Sequence, residues 1–172
     1  MPDDAPWYEA AHLVGITNAL NVAADGLDGA GGTLLAPVGE GAASAKPRET
    51  FDEIRAFYAR EDVPLVFRVL AQDPVYLADF WAALRRAFDD NVLTRRFKEA
   101  LAFAVSLTTR SAFGTPFHLA EMRRLGCSDA GVFEVVGVTQ MFSSYTKVAD
   151  MLALEPDMGD MAPSDPSPPP CR

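Results

Sequence analysis

Phe97 to Ser128 reads FKEALAFAVSLTTRSAFGTPFHLAEMRRLGCS, and this stretch decides the fold. Phe97, Ala100, Leu101 and Ala104 recur at three- and four-residue steps, which predicts an amphipathic helix carrying Glu99. A short break follows at Arg110–Thr115. Gly114 to Leu125 predicts a second helix carrying His118, and Gly126 suits its C-terminal cap. The product is a helical hairpin. His118 is one of only two histidines in the chain, so most of the candidate chemistry lies here.

Outward from the hairpin, the same period continues. Ser128-Asp129 caps a segment from Ala130 to about Leu154, with a break expected near Ser143-Ser144. From Glu155 onward, EPDMGDMAPSDPSPPPCR has too few apolar residues to fold, and a disordered tail is expected. Before the hairpin, Asp73-Pro74 opens a helix whose Leu77, Phe80, Trp81, Leu84 and Phe88 form a broad apolar stripe, with Trp81 read as a core residue. Val63-Pro64 opens the short helix LVFRVLAQ. Thr50 and Glu53 have capping-box spacing and predict a helix start at Thr50, with Phe51, Ile54, Phe57 and Tyr58 on its inner face.

Pro6 to Ala24 predicts the first helix through Leu13, Ile16 and Leu20, with His12 beside that face. Asp25 to Ser44 is rich in Gly and Ala and reads as a mobile loop or linker. Its GAGGT run lacks the GxxxxGK[ST] spacing of a phosphate loop. No strand-like alternation appears anywhere. The expected fold is all-α, an orthogonal bundle of six or seven helices. Residues 1–49 form an N-terminal helix and linker, 50–154 the helical domain and 155–172 the tail.

Composition narrows the function classes. The 172 residues carry a net charge of −9, which disfavours nucleic acid, whose phosphates such a surface repels. Arg95, Arg96, Lys98, Arg123 and Arg124 lack interleaved aromatics and read as solvated helix faces. No apolar run reaches the roughly 18–20 residues of a membrane helix, and the N-terminus does not resemble a secretory signal. A soluble, cytoplasmic protein with no membrane association is expected. Cys127 and Cys171 form no CxxC pair and are expected as free thiols.

The ordered set of motifs from Thr50 to about Leu154 resembles the alkylhydroperoxidase D-like, or carboxymuconolactone decarboxylase, superfamily. The resemblance lies in Val63-Pro64, Phe67-Arg68, Leu70-Ala71, Pro74, Leu77 and Phe80-Trp81. It continues through Leu93, Arg95, Lys98-Glu99 and Leu125-Gly126 to Ser128-Asp129. The family places a glutamate 19 residues before a histidine, and Glu99 and His118 keep that spacing. Its two cysteine positions fall on Ser111 and Gly114. Serine does not cycle through sulfenic acid and glycine has no side chain, so the resemblance implies a member without thiol peroxidase activity. Cys127 lies nine residues past His118 and replaces neither.

A glutamate and a histidine that face each other suit proton transfer, with the carboxylate setting the imidazole's tautomer. Decarboxylase members of the superfamily lack the cysteine pair and keep this histidine. By that resemblance the expected chemistry is acid–base, decarboxylase- or lyase-like, on a small carboxylated molecule. Ser111 is a further candidate, as a hydrogen-bonding or activated hydroxyl.

The competing reading is a non-catalytic ligand-binding or assembly protein. In it Glu99, which falls just outside the apolar arc, is a solvated flank paired with Arg95 or Arg96, and His118 is a boundary residue. A pocket open at His118 favours the enzyme; a packed hairpin favours the second reading. A looser resemblance to group I 2-haloacid dehalogenases makes Asp62 a candidate activator of water. Glu99, His118 and Glu121 make a poor metal set, and no metal or other cofactor is expected. Superfamily members usually associate, so a homo-oligomer is expected, joined through apolar surface on the Trp81 and Phe103 helices.

Overall fold

A computed structural model describes residues 5–29 and 32–154; the tail from 155 on, with Cys171, lies outside them. The described residues form seven α-helices and one minimal antiparallel strand pair. α1 spans Ala5–Leu27, α2 Ala45–Tyr58, α3 Leu65–Leu70 and α4 Pro74–Phe88. α5 spans Arg95–Thr109, α6 Gly114–Arg124 and α7 Asp129–Met151. The all-α expectation holds. Its one departure is β1 (Asp28–Gly29) paired with β2 (Gly32–Thr33), too short to leave an alternating pattern in the sequence.

Local signals set most boundaries. The Asp73 carboxylate accepts the Val75 and Tyr76 backbone N–H groups at 3.0 and 3.1 Å, with Pro74 at the first helical position of α4. Thr94 and Ser128 cap α5 and α7 in the same manner. Arg110 stops α5 in the left-handed region (φ 56°), and Gly126 (φ 81°) stops α6.

Two boundaries differ from expectation. α2 starts at Ala45, not Thr50, because Pro47 lies in its first turn, where no N–H is needed. Thr50 is buried mid-helix and Glu53 has no capping role; its carboxylate accepts the Trp81 indole N–H at 2.9 Å. α7 runs unbroken through Ser143-Ser144, where the Ser144 hydroxyl donates to the Gln140 carbonyl of the preceding turn.

The core gathers Leu13 and Leu20 of α1, Phe51, Ile54 and Tyr58 of α2, Phe67 of α3, Leu77, Trp81, Leu84 and Phe88 of α4, and Ala102 of α5. Each large side chain buried there contributes about 1.5–3 kcal/mol. α1 therefore packs into the same core as the later helices, chiefly against α5. The Gly/Ala-rich segment, expected as mobile, is tied down in its second half. The Val38 N–H donates to the Arg68 carbonyl and the Arg68 Nε–H donates to the Val38 carbonyl, while Glu40 holds Arg55 and the Val63 N–H. Of the helices expected to carry apolar docking surface, Trp81 and Phe103 themselves are buried within the chain, while α7 buries no residue.

Candidate functional site

The α5–α6 turn brings Glu99 and His118 together. Glu99 Oε2 lies 2.8 Å from His118 Nδ1, and both residues are 0% exposed. An ionised carboxylate only accepts, so Nδ1 carries the hydrogen and the neutral ring's lone pair sits on Nε2. That Nε2 is buried without a partner. Phe88 stacks on the imidazole at 5.8 Å and Phe117 meets it edge-on at 5.3 Å, so aromatic faces fix the ring. Neither residue is the solvated flank or boundary group of the competing reading.

Behind the pair stands a buried ion network. Arg95 Nη2 reaches Glu99 at 3.4 Å and Glu121 at 3.3 Å, and Arg124 closes on Glu121 at 2.6 Å. The Arg95 guanidinium lies 3.6 Å over the Phe57 ring, a cation–π contact worth about 0.5–2 kcal/mol. Two guanidiniums, Arg95 partly buried and Arg124 exposed, balance the two buried carboxylates, which makes the burial of Glu99 and Glu121 tolerable.

The basic residues read as a solvated face are thus partly internal. Lys98 is fully buried, its ammonium on Glu9 of α1 and the Asp89 carbonyl, each at 2.5 Å. The inward face of α5 consists of Lys98, Glu99, Ala102, Phe103 and Ser106, while Phe97 is half exposed. The helix is rotated from its most apolar arc because paired charges take the inner positions.

Ser111 is buried, and its Oγ accepts the Gly114 N–H at 2.8 Å, which shapes the entry into α6. At Gly114 a Cβ would overlap Asn21 Oδ1 and Ser106 Oγ and lie 2.8 Å from Asn21 Cγ. The space for a side chain at the second cysteine position is therefore filled from α1. Asp62 is not brought to this site: its exposed carboxylate pairs with Arg60 at 3.2 Å. Among the described residues no cluster of three or more His, Cys, Asp or Glu has the arrangement to hold a metal ion.

Residues 74–154, from α4 through α7, match the sequence model of the carboxymuconolactone decarboxylase family. The match makes α4 to α7 similar to that family. The alkylhydroperoxidase AhpD core from Rhodospirillum rubrum has a similar structure, with a TM-score of 0.68 at 20% identity over 73% of this chain and 94% of that one. At that identity the likeness shows the fold. No curated protein matches the sequence. The fold and family expectations therefore stand, and no described helix is long and apolar enough to cross a membrane.

Sequence reasoning did not place Asn21 at this site, nor Arg95 as an inward partner, and it set Tyr58 on the inner face of its helix without linking it to Glu99 and His118. The Tyr58 hydroxyl is buried without a partner. Burial first, then the charge of Glu99, pushes its pKa well above the usual 10.0, against the opposing pull of Arg95. A signal for Arg95 was present, since it stands four residues before Glu99 on one helix. For Asn21 there was none, because its contact crosses from the far end of the chain.

Proposed function

We propose that this chain performs acid–base chemistry at Glu99–His118 without thiol redox activity. The observation that carries this reading is the 2.8 Å contact between Glu99 Oε2 and His118 Nδ1, with Nε2 left free of any partner. A carboxylate that fixes the tautomer and stabilises the imidazolium lets Nε2 take a proton from a substrate and return it. That suits decarboxylase- or lyase-like steps on a small carbonyl or carboxylated molecule. Ser111 supports the turn rather than acting as a nucleophile, because its oxygen already holds the Gly114 N–H.

The test is a panel of β-keto acids and lactones in deuterated buffer, followed by NMR for decarboxylation or exchange at carbon. Turnover is expected in the wild type and absent in Glu99→Gln and His118→Gln. Turnover that survives in both variants sinks the site assignment. Thiol-dependent peroxide consumption by the wild type overturns the redox-inactive part.

The complete burial of His118 favours a second reading, a binding or assembly protein on the same scaffold. Assembly fits either reading. On α7, Val138, Met141, Tyr145, Val148 and Leu152 are exposed at alternating three- and four-residue steps, the seam of a helix that pairs with another helix. A homo-oligomer joined along this seam is part of the proposal.

A further inference from the structure

Among the five buried side-chain atoms without a partner in the described residues are His118 Nε2 and the Tyr58 hydroxyl, and the rings that carry them pack on one aromatic side chain. Phe117 meets Tyr58 edge-on at 5.0 Å and His118 at 5.3 Å. On its other side Phe117 stacks with Phe113 at 5.0 Å. Phe113 in turn lines a cavity of about 230 Å³ between α1, α3 and the α5–α6 turn. One aromatic pair therefore separates this cavity from the atoms of the site that lack partners.

The cavity has a definite character. Val66, Val69 and Ala112 give it apolar walls, Asp25 and Asp28 supply negative charge, and no cationic side chain lines it. Asp25 is held in place by the Phe113 N–H, which it accepts at 3.0 Å. A carboxylate entering here meets two like charges with no counter-charge, whereas an uncharged molecule loses little. At the far end, buried polar atoms without partners carry a desolvation cost, and a ligand oxygen relieves it.

We propose that this cavity is the entry chamber of the Glu99–His118 site, gated by Phe113 and Phe117, and that it admits small uncharged molecules bearing a carbonyl oxygen. The inference rests on the acid–base reading of the site and narrows its substrate class. With the gate rings swung aside, Tyr58 donates its hydroxyl hydrogen bond to the carbonyl oxygen. His118 Nε2 takes the proton from the adjacent carbon: the C–H bond breaks, its electron pair moves toward the oxygen, and an N–H bond forms. The imidazolium is then held by Glu99 until the proton returns.

Diethyl pyrocarbonate, itself small and uncharged, tests the route by carbethoxylating histidine. Exposed His12 serves as the internal reference in peptide mass spectrometry. His118 is expected to react slowly in the wild type, faster in Phe117→Leu, and several-fold more slowly in Ala112→Trp, which fills the chamber from an exposed position without touching the core. Cyclopentanone is expected to protect His118, and cyclopentanecarboxylate at equal concentration is not. Equal His118 rates in all three proteins, or no reaction in any while His12 reacts, overturn the route. Protection by the carboxylate but not the ketone overturns the substrate class. The acid–base reading is judged separately, by turnover in Glu99→Gln and His118→Gln.

Discussion

At the residue scale, Gly114 and Tyr58 show what a sequence pattern conceals. Gly114 has no room for a side chain, since Asn21 and Ser106 occupy the place of its Cβ. Gly114→Ala is therefore expected to destabilise the fold by about 1–3 kcal/mol in urea denaturation. Asn21→Ala in the same chain is expected to recover part of that loss; simple additivity of the two costs is the contrary outcome. Tyr58→Phe removes a buried hydroxyl without a partner, so stability at pH 7 is expected to stay level or rise. The folded-state pKa of Tyr58 is raised, so the unfolded chain ionises first and stability falls as pH climbs above about 10. That alkaline loss is expected to be smaller in Tyr58→Phe, measured by thermal melts from pH 8 upward. The 19-residue spacing of Glu99 and His118 was legible in the sequence, and the structure gives that spacing a hydrogen bond. Their burial was not legible, because it depends on Arg95 as the counter-charge to Glu99, a guanidinium that Glu121 of α6 also holds.

At the scale of the element, the helices read well from their periodicity and their starts less well. The helix starts at Asp73 and Ser128 lie beside their apolar runs and were visible, whereas the cap at Thr94 emerged from the structure. The start of α2 was not, because a proline in the first turn resembles a stop signal and Thr50-Glu53 imitates a cap. α1 depends on a device the sequence hides, the contact of Glu9 with buried Lys98. Burial pushes the Glu9 carboxyl up, but hydrogen bonds from Lys98 and the Leu93 N–H outweigh it and hold the pKa below the usual 4.5. A depressed folded-state value means the contact stabilises fully above about pH 4.5 and is lost as pH falls through that lower value. Glu9→Gln is thus expected to lower the urea midpoint at pH 7 and to show a shallower decline on acidification. Parallel acid slopes in mutant and wild type would contradict the assignment.

At the scale of the whole molecule, the exposed apolar row on α7 dominates. Monomers seldom leave such a row uncovered along a 23-residue helix. Light scattering is expected to give a mass above that of one chain, and Tyr145→Asp to shift it toward the monomer with the helix content of circular dichroism preserved. A monomeric wild type at micromolar concentration would contradict the seam. The sequence marked apolar stripes on the Trp81 and Phe103 helices, where those two side chains are buried within the chain, and did not single out the exposed row on α7. Periodicity shows that a face is apolar, while only packing shows which faces the chain itself has covered.

The wedge of Asn21 against Gly114 also bears on the order in which substitutions can be made. Placing sulfur at position 114 by itself sets a new side chain against a helix from the other end of the chain. A thiol at 111 is idle without one at 114. A cysteine pair at 111 and 114 would therefore need a change first at Asn21, a residue with no chemical part in thiol chemistry that lies roughly ninety positions away in sequence.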